Sequence, residues 1–123
     1  MKLMIVDDSN IIRRKIERSA HVDNLEVVGT APDGAEAVKL FEATLPDVVT
    51  MDLTMPRMEG IECIERLVAI KPDVLILVVS ALADKATAIQ ALKKGAHGFL
   101  CKPFSEDELN SALYELLKGA THA

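Results

Sequence analysis

Val74-Leu75-Ile76-Leu77-Val78-Val79 is an unbroken apolar run, preceded by Lys71-Pro72-Asp73 and closed by Ser80. A strand with one wet face would alternate apolar and polar residues. A continuous run between turn residues reads instead as a strand covered on both sides. It is also far below the roughly 20 residues that cross a bilayer. Shorter runs of the same character are Leu3-Met4-Ile5-Val6, Leu25-Glu26-Val27-Val28, Val48-Val49-Thr50-Met51 and Phe99-Leu100-Cys101. Together they predict a parallel sheet with helices on both faces.

The segments between these runs carry helical spacing. Ile12 and Ile16 share a face in 11–20, with Arg13, Arg14, Glu17 and Arg18 left mostly in water. Val38, Phe41 and Leu45 form a stripe in 34–44, which Pro46 stops. Ile61, Ile64, Leu67 and Val68 mark a third helix that ends before Pro72, and Ala88, Ile89, Ala91 and Leu92 mark a fourth. Gly95 follows where a helix end wants a residue of positive φ. Ser105-Glu106-Asp107-Glu108 has the spacing of a capping box, and Leu109, Leu113, Leu116 and Leu117 then run along one side as far as Gly119. The alternation is five βα units, an α/β fold with right-handed crossovers.

The chain of 123 residues fits one domain, spanning 1–123, and 50% hydrophobic with 27% charged residues argues for a packed core rather than disorder. A net charge of −5 and an aromatic content of 3% speak against direct nucleic-acid binding. Cys63 and Cys101 match no metal or redox spacing, which predicts reduced, packed thiols in a cytoplasmic protein. The apolar start is too short for a secretory signal, and no run is long enough to span a membrane.

Ligands of an open α/β sheet bind beyond the carboxyl ends of the strands, where the strand order reverses. Asp7 and Asp8 follow the first strand, Asp52 the third, Ser80 the fourth and Lys102 the fifth. Each alone has a plainer reading: Asp8 as a helix cap, Ser80 as a turn residue, Lys102 as a solvated cation. Jointly they predict a site. Two like charges about 4 Å apart repel by roughly 4 kcal/mol at an effective dielectric near 20, so three clustered carboxylates need positive charge. Lys102 supplies one, and an all-oxygen cluster suits a hard divalent cation, with Mg²⁺ favoured beside a phosphate. Asp52, standing alone after a central strand, is the natural nucleophile for phosphoryl transfer, with Asp7 and Asp8 holding the metal and Ser80 and Lys102 binding phosphoryl oxygens.

The motifs Val6-Asp7-Asp8, Asp52-Leu53-Thr54-Met55-Pro56 with Met58 and Gly60, Ser80-Ala81, Gly98-Phe99-Leu100 and Lys102-Pro103-Phe104 occur in this order. With them the chain resembles, over almost its whole length, the receiver domain of bacterial two-component response regulators, of the stand-alone chemotaxis type. The resemblance implies a flavodoxin-like doubly wound sheet in strand order 2-1-3-4-5. It implies that Asp52 accepts phosphate from a sensor histidine kinase, the domain itself catalysing its own phosphorylation and dephosphorylation without being an enzyme on an external substrate. Mg²⁺ would be held by Asp7, Asp8, Asp52 and the Thr54 carbonyl, with Asp7 acting largely through water, and Lys102 would pair with the acceptor. Ser80 and Phe99 would be the switch pair, changing the face of the fourth helix, fifth strand and fifth helix toward a downstream protein target. It also implies a cis peptide between Lys102 and Pro103. Neither Thr54 nor Leu82 offers a carboxamide or carboxylate to orient water, so self-dephosphorylation is expected to be slow. The chain would be a monomer or a phosphorylation-dependent dimer.

Other readings have specific costs. An aspartyl-phosphate phosphohydrolase wants a second Asp two residues after the nucleophile, and position 54 is Thr. A flavin or nucleotide binder wants a Ser/Thr/Gly-rich loop after the first strand, where Asp7-Asp8 would repel phosphate. A phosphorylation-independent binding module would not need the intact site. The basic run Arg13, Arg14, Lys15 and Arg18 reads as a solvated helix face, with partner choice as the sharper alternative. His21, His97 and His122 share no ligand spacing and are given no chemistry.

Overall fold

Main-chain pairing lays the apolar runs side by side, all parallel, in the order β2-β1-β3-β4-β5. In this computed structural model the strands are β1 (Lys2–Val6), β2 (Glu26–Ala31), β3 (Val48–Met51), β4 (Leu75–Ser80) and β5 (Gly98–Cys101). The helices between and after them are α1 (Asn10–Ser19), α2 (Gly34–Thr44), α3 (Gly60–Ile70), α4 (Lys85–Lys94) and α5 (Glu106–Thr121). The structure describes residues 1–22, 24–55, 58–81 and 85–121, with side chains to 118. Pro56, Leu82 and His122 therefore lie outside the described residues.

Period-two geometry sends alternate strand residues to opposite layers. Leu3, Ile5, Val48, Leu77 and Val79 pack with Ile16 of α1 and Leu109, Leu113 and Leu116 of α5. Met4, Val6, Val49, Met51, Ile76 and Val78 pack with Phe41 of α2, Ile64 and Leu67 of α3, and Ala91 of α4. Both faces of the central strands are thus dry, which is why their sequences do not alternate. No helix among the described residues is long and apolar enough to cross a membrane.

Several expected details differ. Leu45 leaves the α2 stripe: it is the left-handed C-cap at φ 46°, half exposed, because the following Pro46 bars continued helix. Ile89 and Leu92 of α4 are exposed and only Ala91 is fully buried, since α4 covers the sheet near its edge. Helix α5 runs through Gly119 to Thr121. Cys63 is buried but Cys101, at the end of edge strand β5, is exposed rather than packed.

Other local features follow the sequence reading. Ser105 and Glu108 exchange both capping-box hydrogen bonds, at 2.9 and 3.1 Å. Gly95 takes φ 124° against Val68 of α3, where a Cβ would come within 2.6 Å of a Val68 methyl. The Lys102–Pro103 peptide is cis.

Candidate functional site

Strand register decides which side chains meet. Val6 lies opposite Met51, so the next residues, Asp7 and Asp52, leave the sheet side by side, with the Asp52 N–H donating to the Val6 carbonyl at 2.9 Å. Met51 lies opposite Val78, which sets Ser80 one step beyond Asp52 along the strands. Ser80 lies opposite Cys101, and the Lys102 N–H donates to the Ser80 carbonyl at 3.0 Å. Lys102 is therefore displaced furthest along the sheet, and its four-carbon stem reaches back over the strand ends. Its ammonium lies 2.7 Å from Asp7 Oδ2 and 3.8 Å from Asp52 Oδ1.

This is the switch point of the sheet, between β1 and β3, where α1 and α3 leave on opposite sides. The start of α3 presses against the acceptor loop: the Gly60 N–H donates to the Leu53 carbonyl at 3.0 Å. A Cβ on Gly60 would fall 2.4 Å from the Asp52 carbonyl oxygen, so a larger residue would push that loop out of place.

Asp7, Asp8 and Asp52 each present a carboxylate oxygen, all within 4.8 Å of one another. Asp7 and Asp52 are buried and Asp8 is exposed at the rim. Asp8 does not cap α1; that role belongs to Ser9, whose Oγ accepts from the Ile12 N–H at 3.3 Å. One Asp7 oxygen accepts from the Ser9 N–H at 2.9 Å, while the other, fully buried, faces the Lys102 ammonium at 2.7 Å. Burial first, and then the Asp7 charge, raise the Asp52 pKa to about 6, against the opposing pull of Lys102 and the Thr54 N–H.

The residues present fit a hard divalent cation. Among the described residues, three carboxylates share one ammonium, which leaves two negative charges on an oxygen-only donor set, open to solvent at Asp8.

The remaining predicted residues lie around this cluster. Thr54 is exposed and its N–H donates to Asp52 Oδ1 at 3.4 Å. Ser80 is buried at the end of β4. Phe99 is half-buried on β5, opposite Val78 and packed on the α2–α3 layer of the core. Two members of the basic run are half-buried and partnered rather than simply solvated. Arg13 Nη1 donates to the Asp7 carbonyl at 2.7 Å, and Lys15 Nζ donates to the Phe104 carbonyl. Composition gave no sign of this; the only signal was their position on the first helix after the acidic pair. Arg14 and Arg18 are exposed, as expected. His21 pairs with Glu106 at 2.8 Å and His97 accepts from the Ile76 N–H at 3.3 Å, both away from the carboxylates.

A family model described as the response regulator receiver domain matches residues 3–114. The chemotaxis protein CheY of Listeria monocytogenes is 38% identical over 118 residues, covering 96% of this chain and 99% of that one. CheY of Thermotoga maritima is 38% identical over 117 residues, covering 95% and 98%. Among solved structures, a CheX-CheY-BeF3-Mg²⁺ complex from Borrelia burgdorferi superposes with a TM-score of 0.90 at 28% identity, covering 95% of this chain and 89% of that one. Acidic strand ends facing one lysine, on this sheet order and with this likeness over nearly every residue, place the chain in the response regulator receiver domain family, as a phosphoryl-accepting signalling switch.

Proposed function

We propose that Asp52 is the phosphoryl acceptor, taking its phosphate from the phosphohistidine of a sensor histidine kinase. The observation that carries this reading is a buried Asp52 carboxylate flanked by Asp7, Asp8 and the Lys102 ammonium at the carboxyl ends of β1 and β3. A carboxylate oxygen attacks phosphorus in line, the P–O bond forms as the P–N bond breaks, and the imidazole leaves with the bonding pair and takes a proton from solvent. Lys102 pairs with the acceptor carboxylate before transfer and with a phosphoryl oxygen afterwards. The raised pKa of about 6 leaves Asp52 ionised, and so nucleophilic, near neutrality.

Asp7, Asp8, Asp52 and the Thr54 carbonyl would hold Mg²⁺, with Asp7 acting largely through water. Bound there, the ion supplies positive charge against the phosphoryl oxygens. Both its phosphorylation and its dephosphorylation by hydrolysis are catalysed by the domain itself, with no turnover of an external substrate.

The output follows from charge. Phosphorylation replaces a singly charged carboxylate with a group near −2 whose oxygens require donors. The Ser80 hydroxyl moves to one of them, and Phe99 turns into the space this opens. That changes the face of α4, β5 and α5 offered to a downstream protein target. Ile89 and Leu92 are exposed on that face, and Tyr114 is exposed on α5, as a partner surface would require. This receiver domain acts in the cytoplasm, either monomeric or dimerising on phosphorylation.

Intact mass after incubation with acetyl phosphate and Mg²⁺ tests the acceptor. Wild type gains one phosphoryl group and Asp52→Asn gains none. No gain by wild type in the presence of bound Mg²⁺ would instead favour a phosphorylation-independent binding module.

A further inference from the structure

Helix α1 presents four cations, and they divide into two kinds. Arg14 and Arg18 are exposed, whereas Arg13 and Lys15 are half-buried and each spends its charge on a main-chain carbonyl of a strand-end loop. Arg13 holds the Asp7 carbonyl at 2.7 Å, at the mouth of β1. Lys15 reaches the other side of the site. Its ammonium donates to the Phe104 carbonyl and lies 4.4 Å from the centre of the Phe104 ring. Glu108, which closes the cap of α5, feels the same ammonium.

The location of that carbonyl gives the contact its meaning. Between Lys102 and α5 the chain has only Pro103, Phe104 and Ser105. The Lys102 N–H is tied to Ser80 at 3.0 Å. Pro103 is exposed and has no N–H to tie. The Phe104 ring is sunk in the core beside Leu109 and Leu113, and the Phe104 carbonyl is held by Lys15. A charged donor on a carbonyl, with the same cation over the aromatic ring, is a firmer anchor than either contact alone. The segment that carries the Lys102 side chain is therefore strung between β4 and α1.

We propose that Lys15 is a positioning residue for phosphoryl transfer: through the Phe104 carbonyl and ring it fixes the turn that aims the Lys102 ammonium at Asp7 and Asp52. The proposal rests on the reading of Lys102 as a ligand of the phosphoryl group, and it adds a control of that ligand from a different helix. Lys15 touches neither substrate nor acceptor. Its influence is carried by where Lys102 sits, so it vanishes when the Lys102 side chain is removed.

The test is the rate of phosphoryl gain from acetyl phosphate with Mg²⁺, followed by intact mass, in Lys15→Met, Lys15→Arg, Lys102→Ala and the Lys15→Met/Lys102→Ala double variant. Methionine keeps the apolar stem on the Phe104 ring but removes the charge and the donor. Misplacement of a catalytic group by about 1 Å can cost about 100-fold, so a smaller shift of Lys102 is expected to slow Lys15→Met by about five- to tenfold. Arginine, which can both donate and stack, restores most of the rate. In the Lys102→Ala background the Lys15→Met change has no further effect, a non-additivity that a merely structural role would not produce.

A wild-type rate in Lys15→Met overturns the proposal, and so does an equal loss in the presence and absence of the Lys102 side chain. A wild-type rate in Lys102→Ala overturns the underlying reading of Lys102 instead, which keeps the two failures apart. Should Lys15→Met fail to fold, Lys15→Leu, which also lacks charge and donor, carries the same comparison.

Discussion

Strand β3 has an aspartate at each end, and the two live in opposite circumstances. Asp47, just before Val48, accepts the Lys2 N–H at 2.8 Å and pairs with Lys71 at 3.0 Å. Its side chain is 38% exposed. Those partners, the Lys2 N–H foremost, hold its pKa below the usual carboxylate range. Asp52, just after Met51, has a side chain only 6% exposed and shares the Lys102 ammonium with Asp7, which holds it more closely, at 2.7 Å against 3.8 Å. Its pKa is raised to about 6, chiefly by burial. One carboxylate stabilises the fold and the other opposes it. A site that must receive new charge is left under-neutralised, while the structural end of the same strand is fully partnered.

The comparison breaks most sharply in chemistry. Asp52→Asn should abolish phosphoryl gain from acetyl phosphate, while Asp47→Asn should gain the group at close to the wild-type rate, both read by intact mass. Equal loss in the two variants would mean that β3 carries its two ends as one unit.

In stability the two substitutions should act with opposite sign. At pH 7.5 in chelator, Asp52→Asn should raise the unfolding free energy by about 1–3 kcal/mol, because it removes a buried charge that the fold disfavours. The folded pKa lies above the unfolded one, so the wild-type penalty is absent below the unfolded pKa near 4 and develops as pH rises toward about 6. The advantage of the variant should therefore shrink to nothing on acidification across that window. Urea titrations from pH 3.5 to 7.5 measure it; a variant no more stable than wild type at pH 7.5 would deny the raised pKa.

Asp47→Asn should instead cost about 1 kcal/mol at neutral pH, since the contacts are charge-assisted but partly in water. Its folded pKa lies below the unfolded one, so this contribution is present above the unfolded pKa and is lost as pH falls through the folded one. The same titrations should show the two variants on opposite sides of wild type at neutral pH and converging on it as pH falls. The smallest effect belongs to the middle of the strand. Thr50 is buried and its Oγ1 has no hydrogen-bond partner among the described residues, so Thr50→Val should raise stability by about 0.5–1 kcal/mol, read as a higher urea midpoint with phosphoryl gain unchanged.

The layout of the sheet was legible because burial on both faces leaves its mark directly on composition. Val74 to Val79 cannot be a half-wet strand, and the Ser105–Glu108 spacing announces a cap made of local atoms only. The acids could be located because an acid placed immediately after a buried run must leave the sheet at its carboxyl edge. The edges of the fold were less legible. Ile89 and Leu92 have the spacing of a buried stripe yet are exposed, because helical periodicity specifies a face and not what covers it. Leu45 has the side chain of a core residue, but its backbone was set by the proline after it.

By itself, then, the sequence determined five βα units, two apolar layers and a set of charged residues at strand ends, since period and hydrophobic transfer act over a few residues at a time. Only the tertiary structure decided which charges face which. The register of β1 on β3 and of β4 on β5 gave the ammonium to Asp7 before Asp52, and the packing of α1 beside α5 turned Lys15 from a solvated cation into a tether on Phe104. Electrostatic partners are chosen by distances of a few ångströms between residues far apart in the chain, Lys15 and Phe104 being 89 apart, and no local pattern encodes those distances.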